Sequence, residues 1–222
     1  MPVLRRVTLE RNTAVVHSDR VTYTVALSDV EDHIQKHLLT GEPYEHKMVR
    51  DIRNRTDGLV VDVGANIGNH SLFLAAYGRP VVAFEPDPVL AACIRLSADL
   101  NGFSTLVVNE VGIGSERTTA RLTGYPEGNV GAQGLKVGRA GVDVVPLDYY
   151  ELAPQAIKID VEGMEMKVLA GAKETIARHK PLLYVEAQDK AAYHPLAEWA
   201  KTNGYVRKAK FNATPTYLYV SE

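Results

Sequence analysis

At 222 residues, the chain is long enough to form one sizeable domain. Its apolar share of 45% and charged share of 23% are typical of a globular protein, and a net charge of −2 gives no basic footprint for nucleic acid. No apolar run is long enough to cross a bilayer, the N-terminus has no signal-peptide pattern, and the single cysteine, Cys93, excludes an internal disulfide. We therefore expect a cytoplasmic protein whose partners include neither nucleic acid nor a membrane.

The N-terminal quarter predicts a small accessory layer. Apolar and polar residues alternate across residues 3–27, which predicts two strands joined in a hairpin. Asp29 to Leu39 is typical of a helix with Asp29 as its cap, and a second helix is predicted after Gly41. We expect residues 1–55 to pack on a core formed by residues 56–222, in one compact unit.

The stretch from Leu59 to Glu85 organises the predicted core. A branched apolar strand ends at Asp62, two glycines follow, a helical pattern runs to Gly78, and a second strand ends at Glu85. Units of this kind bind adenosine-containing cofactors at the carboxyl ends of their strands.

The residues of the turn indicate which cofactor the unit binds. A dinucleotide fingerprint needs glycine at three places, which here hold Gly64, Asn66 and Asn69. The turn instead fits the frame acidic-x-Gly-x-x-x-Gly, with Asp62, Gly64 and Gly68 at the fixed places. S-adenosylmethionine has no pyrophosphate, and an acidic residue and backbone N–H groups can hold its ammonium and carboxylate. The turn therefore favours S-adenosylmethionine over an NAD-type cofactor.

Further positions extend the predicted cofactor site. Glu85 would accept hydrogen bonds from both ribose hydroxyls, and the end of a third strand, Leu106–Val108, would lie beside the adenine. A helix capped by Asp87 and begun by Pro88 connects these two strands. The predicted cofactor residues are Asp62, Gly64, Ala65, Asn66, Gly68, Asn69, Glu85, Pro86, Glu110, Val111, Gly112 and Asp160.

A glycine-rich excursion interrupts the alternation of strands and helices between Thr118 and Leu147. Two strand-like pieces, Thr119–Thr123 and Val142–Leu147, flank it. It is either a substrate loop or the tip of a hairpin. Asn129 and Gln133 are its best candidates for hydrogen bonds to a polar substrate.

The second informative stretch is Ala156–Gly163, with sequence AIKIDVEG. Asp160 ends its strand, Glu162 lies two residues on, and Glu186 ends the next strand, Leu182–Val185. Because parallel strands place their carboxyl ends on one edge, we expect these three carboxylates to converge opposite the cofactor. A single helix starting at Met164, a closing helix and a terminal hairpin complete the chain.

These stretches together resemble the FkbM family of S-adenosylmethionine-dependent methyltransferases. The matching residues are VVDVGANIGNHSLFLA with FEPDP, and IKIDVEGMEMKVLAGA, and the similarity begins at about Tyr44 and Glu45. The resemblance implies an α/β fold, the class I Rossmann-like sandwich, with a seven-stranded, mostly parallel sheet and an antiparallel last strand. It implies methyl transfer, usually to a hydroxyl of a sugar, polyketide, other secondary metabolite or polysaccharide, without fixing this small-molecule or glycan acceptor.

Methyl transfer to a hydroxyl needs a group that takes the hydroxyl proton. Asp160 is the first candidate, either for that role or for holding the cofactor ammonium. Glu162 and Glu186 are the second choices, with helix capping or pairing to a lysine as their structural alternative. Three carboxylates would also suit Mg²⁺, but no spacing requires it, so no metal is predicted. A homo-oligomer, an NAD-type oxidoreductase and a non-catalytic cofactor-binding module remain open.

Overall fold

A computed structural model of the chain describes residues 12–124, 134–137 and 141–222. The predicted substrate residues Asn129 and Gln133 lie outside the described residues. The strands are β1 (Thr13–Ser18), β2 (Val21–Ala26), β3 (Val60–Val63), β4 (Val81–Phe84), β5 (Leu106–Asn109), β6 (Gly112–Ile113), β7 (Thr118–Leu122), β8 (Leu135–Val137), β9 (Val142–Val145), β10 (Ala156–Ile159), β11 (Leu182–Glu186), β12 (Tyr205–Phe211) and β13 (Thr216–Ser221). The helices are α1 (His33–Leu38), α2 (His46–Arg55), α3 (Asn69–Ala76), α4 (Pro88–Asn101), α5 (Glu165–Gly171), α6 (Lys173–His179) and α7 (Lys190–Thr202).

A seven-stranded sheet in the order β12-β13-β11-β10-β3-β4-β5 forms the centre. Strands β11, β10, β3, β4 and β5 are parallel, whereas β13 pairs antiparallel with both β11 and β12. Helices cover both faces, and buried residues form one apolar cluster on each side. This is the predicted class I methyltransferase architecture, with the terminal hairpin supplying the antiparallel strand.

The register of the central strands brings two charged residues together. Lys158 in β10 pairs laterally with Asp62 in β3. Laterally paired residues project to the same face, so the lysine and the aspartate lie side by side under the helical layer. The carboxyl ends of β3, β4, β10 and β11 meet at one edge of the sheet, where the cavity described below opens.

The predicted N-terminal hairpin is confirmed from Thr13 to Ala26, since β1 and β2 pair antiparallel, and residues 3–11 of the predicted hairpin lie outside the described residues. Ser97 of α4 accepts a 2.8 Å hydrogen bond from the backbone N–H of Ala26, so the hairpin packs on the core. The predicted cap of the next helix is wrong. Helix α1 starts at His33, and the side chain of Asp32, rather than that of Asp29, accepts from the first free N–H groups. The division of the chain near residue 55 stays a prediction.

A second sheet, in the order β6-β9-β7-β8, lies between β5 and β10 in the chain. Strands β7 and β9 were predicted, but the short strands β6 and β8 were not. The single helix predicted after Met164 is in fact two, α5 and α6, which join at Ala172. Gly171, the last residue of α5, packs closely on the residue after β6, because a Cβ there would lie 1.9 Å from the carbonyl oxygen of Gly114. Among the described residues, no helix has the length and apolar character needed to cross a membrane.

Candidate active site

A cavity of about 360 Å³ opens at the carboxyl edge of the sheet. Its wall combines the loop after β3, the ends of β4, β10 and β11, the segment before α2, and the turn between β12 and β13. Its polar lining residues include His33, Tyr44, Glu45, Asn66, Asn69, His70, Glu85, Lys158, Asp160, Glu162, Glu186 and Thr214. One continuous cavity therefore contains both of the stretches singled out in the sequence.

The loop after β3 is shaped to approach β10 closely. Gly64 has φ +77°, and a Cβ there would lie 1.8 Å from the carbonyl oxygen of Asp160. Gly68 has φ +85° and precedes helix α3 as its N-terminal cap residue. Because only glycine fits these conformations at low cost, the two glycines let the loop approach β10 and then turn into α3.

Glu85 lies at the end of β4 with only 6% of its surface exposed. Its carboxylate accepts hydrogen bonds from the backbone N–H groups of Asn66, at 2.7 Å, and Asp87, at 2.8 Å. Burial raises the pKa of Glu85, the two hydrogen bonds lower it, and burial prevails, so the pKa is about 8. The side chain is therefore fixed in orientation beside the cofactor loop, where it can meet a polyhydroxyl ligand.

Asp62 has surroundings that the sequence did not reveal. It is 1% exposed, its Oδ2 accepts a 2.7 Å hydrogen bond from Ser71, and its Oδ1 lies 3.2 Å from Nζ of Lys158. Lys158 also donates to the carbonyl oxygen of Gly64 at 2.8 Å. Burial lowers the pKa of the Lys158 ammonium, but the carboxylates of Asp62 and Asp160 outweigh it and raise that pKa overall. The pair is a buried support beneath the loop.

Asp62, Gly68 and Glu110 are not among the described residues that line the cavity. Glu110 forms a surface ion pair with Arg95, at 2.9 Å. Each of these residues was predicted to bind the cofactor, and each lies outside the residues that form the cavity wall. The other predicted cofactor residues do line it: Gly64, Ala65, Asn66, Asn69, Glu85, Pro86, Val111, Gly112 and Asp160.

The three predicted catalytic carboxylates come together. Asp160, Glu162 and Glu186 each present an oxygen within 4.8 Å of the others, a spacing that could hold a divalent cation. Burial, followed by the charge of Asp160, raises the pKa of Glu162 to about 7 and that of Glu186 to about 9. Gln188 donates to Glu162, and Nζ of Lys158 lies 3.5 Å from Oδ2 of Asp160.

The segment before α2 contributes a wall that the sequence did not assign to the site. The Asn69 side chain holds it, accepting from the N–H of Tyr44 at 3.0 Å and donating to the Tyr44 carbonyl at 2.9 Å. Tyr44 also meets the rings of His33 and His37 edge to face, with centroids 5.6 and 5.5 Å away. In the sequence, Tyr44 and its neighbour Glu45 mark only where the family resemblance begins.

Part of the cavity lining is apolar. Phe84, Val111, Ile113, Leu135 and Met164 contribute to it, and Glu85 follows Phe84 in the chain. Apolar side chains together with a buried carboxylate suit an adenosine, because the base requires apolar contact and the ribose hydroxyls require hydrogen-bond acceptors. The residues present therefore fit the cofactor that the sequence favoured.

Comparison with known proteins agrees with this geometry. The family described as the methyltransferase FkbM domain matches residues 62–211. The chain belongs to the FkbM methyltransferase family. Among curated proteins, this FkbM chain is similar to Methyltransferase 1 of Beauveria bassiana, with 28% identity over 145 residues that cover 52% of this chain and 58% of the relative.

Solved structures share the fold. The crystal structure of methyltransferase FkbM from Methylobacillus flagellatus matches 84% of this FkbM chain and 52% of its own, with a TM-score of 0.57 and 25% identity. The Pyrococcus abyssi tRNA (uracil-54, C5)-methyltransferase, solved with S-adenosyl-L-homocysteine, matches 95% and 44% respectively, with a TM-score of 0.52 and 12% identity. The chain thus spans little more than half the length of the FkbM structure and of the curated relative.

Proposed function

We propose that this chain transfers a methyl group from S-adenosylmethionine to a hydroxyl oxygen of a small-molecule or glycan acceptor. The observation that carries the proposal is the single cavity, with a fixed carboxylate, Glu85, in one part and the carboxylate cluster of Asp160, Glu162 and Glu186 in another. Family membership supports methyl transfer. The acceptor class rests on the resemblance and on the hydrogen-bond acceptors of the cluster.

The cofactor would bind in the part of the cavity formed by the loop after β3 and by Glu85. When bound, S-adenosylmethionine would supply an electrophilic methyl group on a sulfonium. Glu85 would accept from the ribose hydroxyls, since its orientation is already fixed by the N–H groups of Asn66 and Asp87. The backbone of Gly64 to Asn66, together with Pro86, Val111 and Gly112, would form the wall around the nucleoside.

The part of the cavity that binds the acceptor must supply a base for the hydroxyl proton and groups that position the acceptor. Glu186, whose pKa is raised to about 9, carries its proton at neutral pH and is a poor base there. Asp160 is better placed, because it lines the cavity and the Lys158 ammonium, 3.5 Å from its Oδ2, fixes the direction of its carboxylate. Asp160 would take the hydroxyl proton of the acceptor, while Glu186 and Glu162 would hold the acceptor by hydrogen bonds. General-base assistance of this kind contributes about 10²–10⁴-fold.

A screen of acceptors tests the proposal. Wild-type protein and the Asp160→Asn variant would be incubated with S-adenosylmethionine and a panel of sugars, glycosides and polyketide alcohols, together with a panel of amines. We expect release of S-adenosylhomocysteine with at least one hydroxyl acceptor and a strongly reduced rate in the variant. Cofactor binding without transfer to any acceptor would favour a non-catalytic module, and transfer to amines alone would refute the hydroxyl assignment.

A further inference from the structure

We propose that Glu45 and His70 bind the amino acid end of S-adenosylmethionine, with the Glu45 carboxylate taking the ammonium and Nε2 of His70 donating to the carboxylate. This inference rests on the proposed function and deepens it. It assigns the amino acid end to the segment before α2 and to the first turn of α3, rather than to Asp62 or Asp160.

Glu45 has a backbone conformation that its local role does not explain. Its φ is +54°, in the left-handed region, and it precedes helix α2 without making a side-chain capping hydrogen bond. A residue at this position normally adopts an extended conformation and uses its side chain to cap the helix. The side chain of Glu45, 17% exposed, points instead to His70 and lines the cavity. Backbone strain of this kind persists where surrounding structure fixes it, often at ligand sites.

His70 supplies an independent observation. It is 7% exposed, it lines the cavity, and its Nε2 has no hydrogen-bond partner among the described residues. Oε2 of Glu45 lies 3.3 Å from this nitrogen, but the two atoms do not have hydrogen-bond geometry. Buried polar atoms are rarely left without a partner, so this nitrogen at a cavity wall points to a ligand.

The pair is complementary to an α-amino acid group. A carboxylate accepts from an ammonium, and an imidazole in the Nε2–H tautomer donates to a carboxylate. The two atoms are close enough to serve the two charged ends of one small head group. Both residues stand beside the loop that follows β3, and the side chain of Asn69 fixes the position of the Tyr44 backbone next to Glu45.

Three other carboxylates near the loop already have partners. Asp62 is buried between Lys158 and Ser71, and Glu85 accepts two backbone N–H groups. Asp160 has the ammonium of Lys158 3.5 Å away, which opposes a second cation. The Glu45 carboxylate lies next to the loop, lines the cavity and makes no capping hydrogen bond. Glu186 also has an oxygen without a hydrogen-bond partner among the described residues, but it belongs to the cluster with Asp160 and Glu162.

Truncated ligands test the proposal through binding alone. Calorimetry would measure the Kd values of three compounds: S-adenosylhomocysteine, its decarboxylated analogue, which keeps the ammonium, and 5′-methylthioadenosine, which lacks the whole amino acid end. The proteins would be the wild type, Glu45→Gln, His70→Phe and Asp160→Asn. Binding of 5′-methylthioadenosine reports in each variant that the fold and the nucleoside site are intact.

We expect Glu45→Gln to weaken S-adenosylhomocysteine and the decarboxylated analogue by about ten- to a hundredfold, the effect of one charge-assisted hydrogen bond, and to leave 5′-methylthioadenosine unchanged. His70→Phe should weaken S-adenosylhomocysteine alone, and Asp160→Asn should leave the ratios between ligands unchanged. If Asp160→Asn, and not Glu45→Gln, removed the preference for the longer ligands, the assignment would be overturned. It would also be overturned if Glu45→Gln weakened all three ligands equally. If the wild type bound none of them, the proposed function itself would fail.

Discussion

Lys158 donates a 2.8 Å hydrogen bond to the carbonyl oxygen of Gly64, so strand β10 holds the loop that follows β3. The same ammonium lies 3.2 Å from Asp62, which is almost fully buried. The loop is therefore supported from below by an ion pair set by the register of two central strands. The Lys158 ammonium, the Asp62 carboxylate and the Gly64 carbonyl together form this support.

Replacing Lys158 with methionine should destabilise the protein strongly. The change leaves the buried Asp62 carboxylate without its cation, and removing one partner of a buried pair typically costs about 3–5 kcal/mol. Urea denaturation followed through the fluorescence of the single tryptophan, Trp199, measures the free energy of unfolding. As a matched control, Arg95→Met removes the exposed ion pair with Glu110 and should cost less than about 1 kcal/mol. Equal losses in the two variants would contradict the structural role assigned to Lys158.

Gly64→Ala should abolish cofactor binding. Its new Cβ would meet a backbone oxygen at 1.8 Å, which no side-chain movement relieves, so the loop must shift away from β10. Gly78→Ala is the control, because Gly78 has a similar φ of +73° and no heavy atom lies within 4 Å of the position that its added methyl group would take. It should lose about 1–2 kcal/mol of stability through backbone strain and retain binding of S-adenosylhomocysteine in calorimetry. Retained binding in Gly64→Ala would show that the close approach is unimportant.

The ligand-free protein should become less stable as pH rises. Burial raises the pKa values of Glu162, Glu85 and Glu186 to about 7, 8 and 9, above the usual 4.5. Between pH 4.5 and 9 the folded state then binds more protons than the unfolded chain. The stabilisation is complete below about pH 4.5 and is lost as pH passes through these raised values.

Melting temperatures recorded from about pH 5 to about pH 9 check this direction. Glu186→Gln removes the group with the highest of the three pKa values, so its melting temperature should depend less on pH than that of the wild type. A wild-type melting temperature that climbed across this range would count against the raised pKa values.

Asp160→Asn should slow methyl transfer by about 10²–10⁴-fold, since an amide cannot accept the hydroxyl proton. Its affinity for S-adenosylhomocysteine should stay near that of the wild type. Glu162→Gln should lose less activity, because it removes a group proposed to position the acceptor and leaves the base in place. Measurement of kcat together with calorimetric Kd separates the two effects. A full rate in Asp160→Asn would move the role of base to another residue.

Treatment with a chelator should leave methyl transfer unchanged. The cluster of Asp160, Glu162 and Glu186 is compact enough for a cation, but the Lys158 ammonium already lies beside Asp160, and protons on the two glutamates reduce the mutual repulsion. The rate would be compared before and after EDTA, and again after Mg²⁺ is added. A loss on chelation that Mg²⁺ restores would establish a metal-dependent reaction instead.

The parts of the fold that sequence could predict are those specified locally. The apolar runs, the glycines of the loop and the cap at Asp87 are each defined within a few residues, and all appear in the structure. The short strands β6 and β8 were missed because two or three residues carry no periodicity, and their pairing partners lie elsewhere in the chain.

The candidate site likewise combines features that the sequence can suggest with features that depend on distant parts of the chain. The meeting of Asp160, Glu162 and Glu186 follows from the shared edge of parallel strands, which sequence can suggest. The ion pair between Asp62 and Lys158 depends on which residues of β3 and β10 lie side by side, and motif spacing does not give that register. The meeting of Glu45 and His70 was likewise hidden, because the residue before one helix and the first turn of another come together only in the folded chain.

The cavity wall runs from His33, ahead of the central sheet, to Thr214, in the last turn of the chain. Any molecule that fills it contacts segments that lie far apart in the sequence. Occupancy should therefore raise the midpoint of heat denaturation in proportion to the logarithm of ligand concentration. A dye-based melting screen of candidate alcohols, with cofactor product present, would then reveal the natural acceptor before any turnover is detected.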